Sequence, residues 1–237
     1  MRRVGVLSLV LACLSLVGCT DLSPSPDSSE KSPADEDRKH RYSSQIDRVV
    51  DGDTVHLKEP VLGSTKVRML SMDAPEVNYQ GKSQGKYGVE ATDYLKKRLP
   101  EGTDVQVVLG QEKKDDYGRL LAYLEVENQD INEEMVRQGY AVPYFIYPNV
   151  DRFQAFREAL QQARKEGRGI WNPDGPLEEM PFEFRLRVGN REPNKYVGNF
   201  ETKEYVEPVD YPDIPLEQRI FFWNAEDAEE AGYKKKP

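Results

Sequence analysis

Lys66-Val67-Arg68-Met69-Leu70-Ser71-Met72-Asp73-Ala74-Pro75-Glu76 is the stretch whose reading decides the fold. Lys66, Arg68, Leu70 and Met72 alternate with Val67, Met69 and Ser71. A period of two is the signature of a strand, here with one partly apolar face and with Arg68 free to point away from it. Pro75 lacks a donor and restricts the residue before it, so the strand ends there and Asp73 and Glu76 sit on a stiff turn at its end. A cation and two carboxylates on a rigid loop are the material from which sites are built.

Two further turns stand around this strand. Residues 46–50 and 54–58 read as strands joined across Asp51-Gly52, a hairpin signal, and Asp53 leaves the turn with a free carboxylate. Asp115-Asp116-Tyr117-Gly118-Arg119 brings a second arginine to the start of another strand-like run, 120–126, and 105–109 reads as a strand before it. Residues 86–99 change to helical spacing through Ala91, Tyr94, Leu95 and Arg98, and Pro100 stops the run. Asp130 and Glu133 open a second helix in the manner of a capping box, with Gly139 at its end. A third follows Asp151, with Phe153, Phe156, Leu160 and Ala163 on one stripe. Five strands interrupted by helices are consistent with a small barrel.

The ordered set Asp51-Gly52-Asp53-Thr54, Arg68 followed by Asp73-Ala74-Pro75-Glu76, and Tyr117-Gly118-Arg119 resembles the thermonuclease (staphylococcal-nuclease-like) family. The resemblance runs from about residue 42 to 171 and includes Val136-Arg137-Gln138-Gly139 and Ile170-Trp171. It implies an α+β fold: a five-stranded OB-fold barrel with about three helices. It also implies a calcium-dependent nuclease, a hydrolase of phosphodiester bonds in single-stranded or denatured DNA, with RNA as a further substrate. Asp53, Asp73 and the backbone carbonyl of Ala74 would hold Ca2+, with Glu76 contacting it through water. Ala74 stands where the family has threonine, a change that need not remove a backbone ligand. Arg68, Glu76 and Arg119 would be catalytic, and Tyr147 matches a nucleotide-stacking tyrosine in a segment about one residue shorter here.

The chemistry agrees with these residue types. Carboxylates alone repel a phosphodiester, so a cation must intervene, and Asp53 and Asp73 are hard oxygen donors suited to calcium. Glu76 can position or deprotonate water. Planar, permanently charged guanidinium groups at Arg68 and Arg119 suit a phosphate and its developing charge. Tyr117 and Lys82 extend the substrate-binding set, and Lys86, Lys113 and Lys114 could complete a basic rim. Tyr140, Tyr144, Phe145 and Tyr147 form an aromatic cluster that serves either core packing or base stacking. Only two histidines occur, His40 and His56, without zinc-ligand spacing, and no serine nucleophile elbow is present. The alternative reading is a non-catalytic OB-fold module that binds nucleic acid or protein at the cell surface. No protein partner is otherwise expected.

The ends carry their own signals. Met1-Arg2-Arg3 and the apolar run 4–17 read as a secretory signal, residues 1–18, ending in Leu16-Val17-Gly18-Cys19. That ending resembles a bacterial lipobox with Cys19 as the lipidation site, which implies export and a lipid anchor on the outer face of the membrane. Cys13 would leave with the signal, so no thiol remains for a disulfide. Residues 19–41 read as a linker with almost nothing to bury.

The chain carries a net charge of −9. Residues 42–172, the expected nuclease-like domain, hold 18 Lys plus Arg against 21 Asp plus Glu. Residues 173–237 hold 9 against 15, an acidic balance that predicts repulsion of DNA. This C-terminal extension vaguely resembles a degenerate zinc module, since Gly232-Tyr233 is followed by lysines where a cysteine pair is expected, and it has neither Cys nor His. The expectation is a zinc-free, partly ordered tail docked through Phe221, Phe222 and Trp223, whose removal leaves activity intact.

Overall fold

A computed structural model of the chain describes residues 40–237. The signal segment, Cys19 and nearly all of the linker lie outside the described residues. β1 (Arg41–Val49), β2 (Thr54–Val61), β3 (Ser64–Met69), β5 (Asp104–Lys114) and β6 (Leu120–Val126) form the barrel. Their order is β3-β2-β1-β5-β6, with the short β7 (Gln129–Asp130) added beside β6, and a parallel pairing of β3 with β6 closes the ring. Closure follows from the alternation read in the sequence: Val55, Val67, Met69, Leu120, Ala122 and Leu124 point into the core and are all but inaccessible. This is the expected five-stranded OB-fold barrel.

α1 (Lys86–Arg98) seals the barrel with Ala91 and Leu95. α2 (Ile131–Arg137) begins where the Asp130 side chain accepts from the Glu133 N–H, 3.1 Å away, as its capping sequence predicts. α3 (Phe153–Lys165) buries Phe153, Phe156, Leu160 and Ala163, the expected stripe.

The run 66–72 is not one strand. β3 stops at Met69, and β4 (Met72–Asp73) pairs instead with β8 (Val142–Pro143). The break is at Ser71, whose φ of 62° lies in the left-handed region that L residues rarely occupy. Two buried side chains hold the kink: the Ser71 and Tyr123 hydroxyls share a 2.7 Å hydrogen bond, and Asn132 Nδ2 donates to the Leu70 carbonyl. The kink turns Asp73 out of the barrel wall towards the extension. The tight two-residue turn between β2 and β3 is Leu62-Gly63, both at positive φ, whereas Asp51-Gly52 belongs to a wider loop.

The extension is ordered rather than partly ordered. α4 (Pro181–Val188), β10 (Tyr196–Asn199), β11 (Glu204–Val206), β12 (Arg219–Phe222), α5 (Ala225–Glu230) and β13 (Lys234–Lys235) follow the barrel. The sheet runs β13-β11-β10-β12-β9, and β9 (Phe145–Ile146) belongs to the nuclease-like segment. Ile220 pairs with Phe145 and Phe221 with Ile146, so main-chain hydrogen bonds cross the boundary. Side chains cross it too, since Ile220, Phe222 and Tyr233 join the same apolar cluster as Phe145 and Phe153. Of the three residues expected to dock, Phe221 and Phe222 are buried and Trp223 remains 48% exposed. Among the described residues no helix is long and apolar enough to cross a membrane.

Candidate active site in the cleft between barrel and extension

One open cleft of about 780 Å³ gathers most of the residues singled out in the sequence, with the barrel on one side and the extension on the other. Two glycines let the acidic turns approach each other. A Cβ at Gly52 would lie 2.6 Å from the Ala74 Cβ, and one at Gly88 in α1 would lie 2.6 Å from the Glu76 carbonyl oxygen. The loop 50–53, the turn 73–76 and the helix therefore meet at van der Waals distance, closer than larger residues permit.

Arg68 bridges the two aspartates. Its Nη1 lies 2.9 Å from Asp53 Oδ2 and its Nη2 donates to Asp73 Oδ1 at 2.9 Å. Asp53 also accepts from the Ala74 N–H at 3.1 Å, which ties the two acidic turns together. Asp73 is completely buried. Burial pushes the Asp53 carboxyl above the usual aspartate range, with Arg68 opposing and Asp51 adding to the rise. Burial likewise raises Glu76, against the hydrogen bond and charge of Arg185, while the charges of Asp53 and Asp73 add to the rise.

Arg119 stands on the turn 115–119. Asp115 holds that turn by accepting from the Tyr117 and Arg119 N–H groups and from Arg119 Nε, the last at 2.7 Å. Its guanidinium lines the cleft while paired to that acid. Tyr117 is 85% exposed at the rim, its ring centre 5.6 Å from the guanidinium carbon.

Two of the expected substrate residues are elsewhere. Tyr147 does not line the cleft. Its N–H is bound to the Phe221 carbonyl by the pairing of β9 with β12, and its ring packs 5.6 Å from Phe222 beside a separate small cavity. The aromatic that does reach the cleft from this cluster is Tyr144, stacked on Phe182. Lys82 is solvated in the turn it forms with Tyr79 and does not line the cleft either. Lys86, Lys113 and Lys114 are also absent from its lining, so the basic rim is not where the lysine-rich sequence placed it.

The cation that sequence reasoning missed is Arg185 of α4. Its Nη1 donates to Asp73 Oδ1 at 2.8 Å and to Glu76 Oε1 at 2.7 Å, and its Nη2 donates to Asp73 Oδ2 at 2.9 Å. Burial opposes its charge, but Asp73 and Glu76 outweigh that and hold the group far above its ordinary pKa. A signal existed: Phe182, Arg185 and Leu186 share one helix face, so Arg185 interrupts an apolar stripe. The helix itself was legible from Pro181 at its start and from Glu183, whose carboxylate accepts from the Met180 N–H at 2.9 Å. Lys195 also lines the cleft, and burial, followed by the charge of Arg185, lowers it to about 8.

Asp53, Asp73 and Glu76 are an all-oxygen set of three carboxylates against the two guanidinium groups that contact them, which leaves one negative charge over. That balance and the raised Asp53 fit a hard cation such as calcium. Among the described residues, however, no three acidic, His or Cys side chains stand arranged as a ready metal cage. The oxygens that face one another are held by Arg68 and Arg185, so an ion would have to displace Arg185 from Asp73 and Glu76.

Comparison with known proteins places this geometry among relatives. The family described as staphylococcal nuclease homologue matches residues 66–173. The endonuclease YhcR of Bacillus subtilis (strain 168) is 46% identical over 215 residues, covering 87% of this chain and 18% of that protein. The thermonuclease of Staphylococcus hyicus is 31% identical over 128 residues, covering 54% of this chain and 75% of the relative. The uncharacterized protein MJ1439 of Methanocaldococcus jannaschii is 30% identical over 203 residues, covering 73% and 95%. A match over 87% of this chain is longer than the barrel and reaches into the extension. The chain spans less than a fifth of YhcR.

Proposed function

Since the chain belongs to the staphylococcal nuclease homologue family, we propose that it is a calcium-dependent nuclease that hydrolyses phosphodiester bonds of DNA, and of RNA as a further substrate, outside the cytoplasm. The observation that carries this reading is that Asp53, Glu76, Arg68 and Arg119 line one open cleft, with Asp73 buried behind it and bound to Arg68. Names of relatives, an endonuclease and a thermonuclease, agree with it.

In this reading Asp53, Asp73 and the Ala74 carbonyl would hold the ion once Arg185 has left Asp73, and Glu76 would reach it through water. Bound calcium supplies positive charge to the phosphate. The chain's own residues do the rest. Glu76 accepts a proton from the attacking water. Arg119 and Arg68 offer paired N–H donors to the phosphate oxygens as charge builds on them. The new P–O bond forms on the face opposite the leaving oxygen, which departs with its electron pair and takes a proton from solvent.

Incubating the full chain with single-stranded DNA, first with calcium and then with a chelator, tests this. Cleavage is expected only with calcium, and intact DNA in both conditions would leave the non-catalytic module as the better reading. Arg185 gives that rival its one supporting observation, because it already neutralises Asp73 and Glu76.

Export and anchoring through Cys19 belong to the same proposal and are supported by the lipobox-like Leu16-Val17-Gly18-Cys19. Cys19→Ala is expected to move the protein from the detergent phase to the aqueous phase in a detergent partition. An unchanged partition would remove the anchor.

A further inference from the structure

The extension holds 15 Asp plus Glu and 9 Lys plus Arg, yet none of the acids lines the cleft, and its three charged residues that do, Arg185, Arg191 and Lys195, are all cations. Arg185 is committed to Asp73 and Glu76. Arg191 and Lys195 have no carboxylate within ion-pair distance among the described residues. Arg191 Nη2 instead donates to the Tyr79 hydroxyl of the barrel at 2.8 Å, and Lys195 Nζ approaches Asn194 Oδ1 at 3.4 Å.

Trp223 completes the group. It follows β12 directly, where Phe221 and Phe222 are buried, but it lines the cleft with 48% of its surface exposed. Lys195 Nζ lies 4.3 Å from its ring centre. A large ring left in water costs hydrophobic free energy that its two neighbours avoid. A half-exposed flat ring with a cation over one face suits an unpaired base and its adjoining phosphate: the ring stacks the first and the cation holds the second.

We propose that Trp223, Lys195 and Arg191 form a nucleotide subsite on the extension, which stacks one unpaired base and holds its phosphate while the strand crosses to the acidic turns of the barrel. The subsite rests on reading the cleft as a nuclease site. It assigns the extension the task of gripping single-stranded nucleic acid, a duplex having no free base to offer. It also replaces Tyr147, which faces away, with Trp223 as the stacking ring.

The test is anisotropy titration of the full chain, in chelator so that nothing is cut, with a labelled oligothymidylate of about 12 nucleotides, within the span of one OB fold. Trp223→Ala is expected to weaken binding about tenfold, and Trp223→Phe to recover most of the loss. Lys195→Gln is expected to weaken it and to lower the salt dependence by about one phosphate contact. In a Trp171→Phe background, which leaves Trp223 as the one tryptophan, unlabelled oligonucleotide should quench the remaining fluorescence. That measurement needs no alteration of the subsite. Unchanged affinity in both variants, or fluorescence that does not respond to saturating oligonucleotide, would overturn the proposal. Cleavage of the same oligonucleotide with calcium is read separately: quenching without cleavage keeps the subsite and sinks the nuclease, whereas cleavage without quenching does the reverse.

Discussion

The two walls of the cleft differ in nearly every respect. The barrel wall carries the acids Asp53 and Glu76, with Asp73 buried behind them, on turns whose residues are close in sequence and spaced as a motif. The charged residues on the extension wall are all cations, set among aromatic rings, and its reach into the site is long: Arg185 meets Asp73 across 112 positions of chain. Counted as segments, the extension is the more acidic and should repel nucleic acid. As placed in space, it is the side that attracts it. Over a Debye length of roughly 8 Å, a phosphate feels the groups facing it rather than the sum of a segment.

The strongest way to break this contrast is to remove one wall. A chain ending at Asp174 loses β12, the pairing partner of β9, and uncovers Phe145 and Tyr147. Each large side chain exposed costs on the order of 2 kcal/mol, and several together approach the whole stability of a domain. The expectation from sequence alone, that activity survives truncation, is therefore reversed. Such a fragment should unfold at markedly lower urea concentration and lose cleavage, and a wild-type midpoint with full activity would return the extension to the status of a separate unit.

A narrower cut is Arg185→Gln. Breaking a buried ion pair leaves Asp73 with Arg68 as its remaining cation and is expected to cost about 3 kcal/mol in urea unfolding without metal. Calcium should restore more stability to this variant than it adds to the natural protein, because Asp73 Oδ2 and Glu76 Oε1 are released. An unaltered midpoint, or equal gains from calcium, would mean that Arg185 neither supports the acids nor competes for them.

On the barrel wall, Arg119→Lys keeps the charge and removes the fork. Cleavage is expected to slow about 100-fold, as for loss of one transition-state donor. A rate near that of the natural protein would reduce Arg119 to the partner of Asp115.

What was legible in the sequence follows the same division. The barrel strands declared themselves by alternation, and the acids and both barrel arginines by ordered motifs, because local chemistry fixes local turns. The left-handed Ser71 did not, since its conformation is held by Tyr123 and Asn132, which lie on later elements. Tyr147 was misplaced for a related reason: an aromatic cluster shows that rings will be buried, but Phe221 of β12, which claims this one, arrives 74 residues later. Lys82 illustrates the converse, as proximity in sequence to Glu76 did not bring it into the cleft. Arg185 was hidden by counting, because nine cations among fifteen acids gave no hint that three of them share one wall.

The central claim is that this cleft cuts phosphodiester bonds with Glu76 as the proton acceptor, and Glu76→Gln tests it most directly. The amide keeps the shape and cannot take the proton, so with calcium present single-strand cleavage should fall by about 10³-fold, while oligonucleotide affinity in chelator stays within about twofold, since Glu76 adds repulsion rather than grip. Cleavage by the purified variant at the natural rate would contradict it.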